Sequence, residues 1–105
     1  MVSLGKIIQM TKEMIKAIII NPRDNVAIAT KKISSGQKVR IEISGKVKEI
    51  IAKQDIPQGH KIALTRISKG EAIIKYGEVI GYAKRDILEG EHVHIHNVVG
   101  RDEII

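Results

Sequence analysis

The chain has 105 residues, enough for one small domain, and its 43% hydrophobic and 29% charged residues are the balance of a globular protein rather than a disordered one. Cysteine is absent, which excludes disulfides and zinc–thiolate sites. The net charge of +6 favours anionic partners, but with two tyrosines as its only aromatic residues the chain lacks the stacking surfaces of a nucleic-acid binder, so we expect no nucleic-acid partner.

The N-terminal segment predicts neither a secretory signal nor a membrane anchor. No apolar run in the chain approaches the roughly 20 residues that span a bilayer, so we expect a cytoplasmic protein with no membrane partner. Residues 1–13 fit either a short amphipathic helix or an ordered tail on a partner. We treat residues 1–15 as an extension and residues 16–105 as the domain.

From Lys16 onward the pattern indicates short β-strands separated by turns. The run Asn-Pro-Arg-Asp-Asn at residues 21–25 is a turn, because proline fixes φ and the Asn and Asp side chains bond local backbone groups. Residues 26–30 fit a strand or a short helical turn, and Gly81 suggests a bulge or a close backbone approach. The other predicted strands cover residues 17–20, 39–43 and 47–53, with two more on either side of residues 76–78.

One turn device occurs four times. It consists of a polar residue, Ile, two variable residues, Gly, two more residues and an aliphatic, and it occupies residues 32–39, 55–62, 66–73 and 86–93. We predict that the Ile anchors the turn in the core, that the Gly takes a positive φ, and that the aliphatic begins the next strand. The copies begin 23, 11 and 20 residues apart, which excludes a solenoid and indicates a compact, irregular all-β fold.

The fourth copy leads into a segment that holds three of the four histidines at alternate positions: His92, His94 and His96. In a β-strand these side chains leave from one face, with Val93 and Ile95 directed into the core. A His-x-His pair can supply two imidazole ligands to a metal, with a third from His96 or from His60. The alternative is a solvated polar face on an edge strand.

Four segments together resemble the SAF domain found at the N-terminus of altronate and galactarate dehydratases. The most specific blocks are Gly-His-Lys-Ile-Ala-Leu at residues 59–64 and Lys-Tyr-Gly-Glu at residues 75–78. The resemblance implies a β-clip fold. It extends over about residues 16–98, through the segments 21–27, 55–64, 74–81 and 85–97.

The same resemblance implies the dehydration of a sugar acid to a 2-keto-3-deoxy acid, with a divalent metal, usually iron. Family enzymes carry a large second domain that this sequence lacks, so we expect a split hydro-lyase whose small subunit is this chain, inactive alone and partnered by a large catalytic subunit. Sulfolactate sulfo-lyase is a similar two-subunit enzyme, so sulfite is an alternative leaving group. A non-catalytic carbohydrate-binding or accessory module is another alternative.

The resemblance also suggests roles for individual residues. β-Elimination needs a base near the α-proton and an electrophile that holds the carboxylate and the leaving hydroxyl. We expect a divalent ion on the three histidines of residues 92–96, completed by the large subunit. Whether these histidines bind metal, transfer protons or are simply exposed stays open, as does a homo-oligomer of the isolated chain. The catalytic candidates are His60, His94 and His96, the metal candidates are His92, His94 and His96, and the candidates for binding the sugar acid are Lys61, Lys75, Tyr76 and Arg85.

Overall fold

A computed structural model describes residues 15–100, and it confirms the all-β prediction. The helix or tail predicted for residues 1–13 lies outside this range. Among the described residues, no helix is long and apolar enough to cross a membrane. In chain order the strands are β1 (Ile15–Ile18), β2 (Val26–Ala29), β3 (Lys38–Ile43), β4 (Lys46–Ile51), β5 (Lys61–Ala63), β6 (Ala72–Lys75), β7 (Glu78–Ala83), β8 (His92–Val93) and β9 (Val98–Gly100).

The strands form two sheets. The larger has the order β4-β3-β1-β2-β5-β8 and the smaller the order β6-β7-β9. Strands β1 and β3 pair in parallel, and the other pairings within the two sheets are antiparallel. Strands β4 and β8 therefore form the two edges of the larger sheet, and the histidine segment begins at the β8 edge.

The fourfold turn device is confirmed in all three of its predicted features. Each repeat isoleucine is at most 1% exposed, and the four repeat glycines have φ between +84° and +89°. The aliphatic residue is the second residue of its strand and is fully buried in each copy: Val39, Ile62, Ile73 and Val93. The copies also associate in pairs, because Ile33 bridges Ile56 and Ile67 bridges Ile87.

Two buried clusters follow from this pairing. Ile33 and Ile56 lie in the first cluster, which packs mainly against the larger sheet. Ile67 and Ile87 lie in the second, which also includes residues of the smaller sheet and of β8. The core is built from branched aliphatics and alanine, as expected for a chain without Phe or Trp.

The two tightest hairpins use the same turn chemistry. Ser44 and Gly45 join β3 to β4, while Tyr76 and Gly77 join β6 to β7, and all four have positive φ. Two-residue loops of this type match the right-handed twist of the flanking strands. At Gly81 in β7, a Cβ would lie 2.3 Å from the carbonyl oxygen of Val99, which confirms the predicted close backbone approach.

The prediction that one strand carries all three histidines of the segment is wrong. Strand β8 ends at Val93, and the chain then turns, with the Asn97 N–H donating to the His94 carbonyl at 3.1 Å. Asn97 is 1% exposed, and its carboxamide accepts from the His94 N–H at 2.9 Å and donates to the His92 carbonyl at 2.8 Å. These bonds give the peptide groups local hydrogen-bond partners in place of those that a neighbouring strand would provide. Ile95, expected in the core, is instead 77% exposed.

Candidate functional site

The turns bring the imidazoles together even though a continuous strand does not. His60 follows the glycine of the second repeat copy and directly precedes β5, and β5 pairs with β8, which begins at His92. Nδ1 of His60 and Nε2 of His92 are 2.9 Å apart. The His94 ring stacks on the His60 ring, with centroids 4.0 Å apart. The register between two strands therefore assembles residues that are distant in sequence.

Three of the imidazoles form a compact set of nitrogen donors. One ring nitrogen from each of His60, His92 and His94 lies within 4.8 Å of the other two. Nδ1 of His94 is buried and has no hydrogen-bond partner, which is unusual for a buried polar atom. His96 stands beside this set, its ring tilted by 34° to that of His92 with a centroid separation of 5.0 Å. The three-nitrogen set therefore contains His60, whereas the metal candidates named from the sequence included His96 instead.

Burial and like charge favour the neutral form of two rings in this cluster, those of His92 and His94. The pKa of His92 falls to about 4, first because burial disfavours the charged ring and then because His96, His60, His94 and Lys61 add positive charge around it. The pKa of His94 is also lowered, mainly by burial and then by His60. At neutral pH the rings of His92 and His94 therefore keep the lone pairs that a metal ion or a proton would use.

The donor set fits a divalent ion in type and number, and one pair of its nitrogens also has a suitable spacing. Neutral imidazole nitrogen is a good ligand for first-row divalent metals. Metal–nitrogen bonds of about 2.0–2.1 Å place two ligand nitrogens roughly 3–3.5 Å apart, close to the His60–His92 separation. Because the His94 ring is nearly parallel to that of His60, one of these rings must rotate for all three lone pairs to converge. Three protein ligands leave coordination positions open, as in catalytic sites.

One lysine, Lys61, adjoins the imidazoles, and the charge of a second, Lys75, acts on Lys61. Lys61 begins β5 and is half-buried, and its pKa is lowered by burial and then by the charge of Lys75. Lys75 ends β6, and its Nζ lies 4.9 Å from the centroid of the Tyr76 ring. Arg85, the other predicted anion-binding residue, is exposed in the bend after β7, where the described residues give it no ion-pair partner. The lysine charges and the neutral imidazoles together form a region that favours an anionic ligand.

Several residues that hold the site received no role from the sequence. Gln54 accepts a hydrogen bond from the His92 N–H at 2.8 Å, and Asn97 fixes the histidine turn. Asp24 accepts from the Gly77 N–H at 2.8 Å, and so fixes the hairpin tip that carries Lys75 and Tyr76. The sequence did contain a signal for the turn, namely an Asn directly after the last histidine. Asn and Asp favour local hydrogen bonds to backbone groups.

The chain is matched over residues 15–101 by the family model described as the altronate/galactarate dehydratase SAF domain. It belongs to this family. It is 45% identical over 78 residues to the altronate dehydratase of Escherichia coli K12 and 40% identical over 80 residues to the galactarate dehydratase (L-threo-forming) of the same strain. These alignments cover 74% and 76% of this chain but only 15% and 14% of the two relatives.

A second group of relatives is shorter. The (2R)-sulfolactate sulfo-lyase subunit alpha of Paracoccus pantotrophus is 50% identical over 48 residues, which is 46% of this chain and 72% of that subunit. The relatives are thus dehydratases, in which the matched region is a small part of a long chain, and sulfo-lyases, in which it is 49% to 72% of a named subunit. The family is one of lyases.

Proposed function

We propose that this chain is the small subunit of a two-subunit, cytoplasmic sugar-acid dehydratase, and that it contributes part of a site completed by a large catalytic chain. The observation that carries the proposal is the cluster of His60, His92 and His94 with Lys61 beside it, in a domain that aligns with only 15% of altronate dehydratase. The cluster offers metal ligands and anion-binding charge.

The chemistry of the cluster suits β-elimination from a hydroxy acid. The ammonium groups of Lys61 and Lys75 would bind the substrate carboxylate. His60, His92 and His94 would hold a divalent ion, which when bound supplies a Lewis acid for the carboxylate and the leaving hydroxyl. His96 is exposed beside the nitrogen set, so its ring is available to move a proton at the α-carbon or the leaving oxygen. Tyr76 and Arg85 remain candidates for contacts farther along the sugar acid.

A sulfo-lyase is the second candidate. It is favoured by the match to sulfo-lyase alpha subunits, in which the counterpart of this chain is a separate subunit. Sulfolactate is also a carboxylate with a leaving group β to its acidic carbon, so the same ion-binding and anion-binding residues apply. The two candidates differ in whether water or sulfite leaves.

Reconstitution tests both candidates. The partner to use is the chain from the source genome that matches altronate dehydratase outside the region matched here. The isolated small chain, the large chain and the pair are each assayed with altronate, galactarate and sulfolactate in the presence of Fe²⁺. We expect turnover by the pair only. Turnover by the small chain alone would contradict the proposal, and a pair that binds sugars without turnover would favour a carbohydrate-binding module.

A variant then tests the cluster itself. We expect His94→Ala to lower kcat of the pair by about 100-fold or more, because it removes both a ligand and the stacking partner of His60. The control is the thermal unfolding of the small chain, which should change little because the His94 ring is not part of either buried cluster. Unchanged kinetics with a correctly folded variant would contradict a role for the cluster.

A further inference from the structure

We infer that Asn97 is a positioning residue that holds His94 in place as the third nitrogen donor of the histidine cluster. The inference rests on the proposed function, in which His60, His92 and His94 hold a divalent ion. It adds a reason why the third donor is a residue that lies beyond the end of strand β8. It also gives a role in ion binding to a buried residue that is not one of the three donors.

The backbone of His94 is bonded to Asn97 at both of its polar groups. The His94 N–H donates to the side-chain oxygen of Asn97 at 2.9 Å, and the His94 carbonyl accepts from the Asn97 N–H at 3.1 Å. The side-chain nitrogen of Asn97 donates to the His92 carbonyl at 2.8 Å. All three bonds therefore go to residues of the donor set.

The ring of His94 has little else to hold it. Its Nδ1 is buried without a hydrogen-bond partner, and its ring contacts are stacking contacts with His60 and His92. The position of the ring therefore depends on the backbone that Asn97 holds. Rotation about the side-chain bonds of His94 would leave the bonds to Asn97 intact, so the ring can turn its lone pair toward an ion while its Cα stays in place. Fixing a ligand through its backbone in this way is how supporting residues preorganise a site.

The bonding pattern accounts for a carboxamide at position 97. The side chain must accept from one N–H and donate to one carbonyl, and it is shielded from solvent because Asn97 is only 1% exposed. An ionised carboxylate accepts but does not donate, and an apolar side chain does neither. Asparagine supplies both groups on a short side chain, and a buried donor or acceptor without a partner is costly.

Asn97 is itself anchored on the smaller sheet. Its carbonyl accepts from the Lys84 N–H at 2.9 Å, directly after β7, and β9, which pairs with β7, begins at the next residue. The other two donors lie where β5 pairs with β8 in the larger sheet. Asn97 therefore brings His94 to a pair of donors on the larger sheet from an anchor on the smaller one.

The test measures Co²⁺ binding by the full chain through its visible absorption, in a double-mutant cycle. We expect Asn97→Ala to weaken binding by about tenfold or more, as His94→Ala should. The double variant should bind no more than about threefold more weakly than either single variant, because both substitutions remove the same donor. Such non-additivity is specific to a residue that acts through His94.

Two further variants serve as controls. His60→Ala removes a donor that Asn97 does not bond, so in combination with Asn97→Ala it should weaken binding by about a further tenfold or more. Asn97→Asp keeps the shape of the side chain and the acceptor for the His94 N–H. In the Asn97→Asp background, His94→Ala should therefore still weaken binding by about tenfold or more, as it does in the wild-type background.

A measurement on the wild-type chain covers the case in which Asn97→Ala does not fold. His94 lies outside the strands, and we expect its amide hydrogen to exchange about tenfold or more slowly than an unbonded amide because it is bonded to Asn97. An unprotected His94 amide would overturn the inference, whatever the variants do.

The outcomes separate this inference from the proposed function. If the wild-type chain binds Co²⁺ but the losses in Asn97→Ala and His94→Ala simply add, Asn97 supports the fold without placing His94, and the inference falls while the function stands. The same holds if Asn97→Ala binds Co²⁺ as tightly as the wild type. Failure of the wild-type chain to bind Co²⁺ would count against the ion site of the proposed function, and the inference would fall with it.

Discussion

At the scale of single residues, His92 shows how a histidine can remain uncharged well below its usual pKa. Its pKa is held near 4 because burial and the positive charges of the neighbouring imidazoles and Lys61 all disfavour its protonation. Between about pH 6.5 and 4 the folded protein therefore binds fewer protons at this ring than the unfolded chain does. The contribution of His92 to stability is present above this window and is lost as the pH falls through it.

This neutrality leads to a prediction about metal binding by the isolated chain. At pH 7 we expect Co²⁺ to bind through His60, His92 and His94, because their nitrogens lie within 4.8 Å of one another. His60→Ala should then weaken binding about tenfold or more, whereas His96→Ala should change it about threefold or less. Visible absorption of the cobalt complex measures both. Binding should weaken as the pH approaches 4, because protons compete for His92.

His96→Ala is the matched control, since it removes an imidazole that neighbours His92 but is not one of the three nitrogen donors. The reverse result, with binding lost in His96→Ala and kept in His60→Ala, would support the ligand set of His92, His94 and His96 that the sequence alone suggested. Equal and small effects of both variants would show that the cluster does not hold the ion.

At the scale of elements, the repeat device has the same backbone but not the same surroundings in each copy. Gly59 has φ of +84° with open space where a Cβ would lie, whereas Gly90 has φ of +89° and its Cβ would lie 2.1 Å from the Ile51 carbonyl oxygen. The N–H of each repeat glycine donates to an alanine carbonyl, which fixes the turn. All four copies thus require glycine. They differ in how far the backbone would have to move to make room for the Cβ of a substituted residue.

A pair of alanine substitutions separates these two effects. Gly59→Ala should lower the free energy of unfolding by about 1–2 kcal/mol, the cost of placing an L side chain in the left-handed region. Gly90→Ala should cost about 3 kcal/mol or more, because overpacking against Ile51 is added to the same backbone cost. Urea unfolding of the two variants measures the difference. Equal losses would mean that the backbone around Gly90 yields freely.

Much of this element structure could be predicted from sequence because its causes are local. The Ile and Gly of each repeat copy act within a few residues of each other, so their burial and positive φ follow from the motif itself. The histidine turn could not be predicted in this way. The alternation of His92, Val93 and His94 favours a strand, but the strand ends where the carboxamide of Asn97 bonds back to it. The contact of His60 with His92 depends on the register of β5 with β8, which neither segment contains alone.

At the scale of the whole molecule, the segment before β2 hydrogen-bonds the larger sheet to the smaller one. Asn25 lies just before β2 of the larger sheet, and its carboxamide bonds to β6 of the smaller sheet, accepting from the Ile74 N–H at 2.7 Å and donating to the Ala72 carbonyl at 2.8 Å. Its own N–H donates to the Ile74 carbonyl at 3.2 Å. Because β6 carries Lys75 and β2 pairs with β5, which begins at Lys61, this junction sets the relation of the two lysines.

Asn25→Ala should therefore destabilise the whole domain. The substitution leaves the Ile74 N–H and the Ala72 carbonyl without their partners, and two part-buried groups left unpaired cost about 2–4 kcal/mol. The matched control is Asn21→Ala in the same turn, whose side-chain oxygen accepts only an exposed bond from the Arg23 N–H and whose loss should cost about 1 kcal/mol or less. Urea unfolding followed by circular dichroism measures both free energies. A loss in Asn25→Ala no larger than that in Asn21→Ala would show that the sheets are held together by their apolar clusters alone, and that the spacing of Lys61 and Lys75 does not depend on this junction.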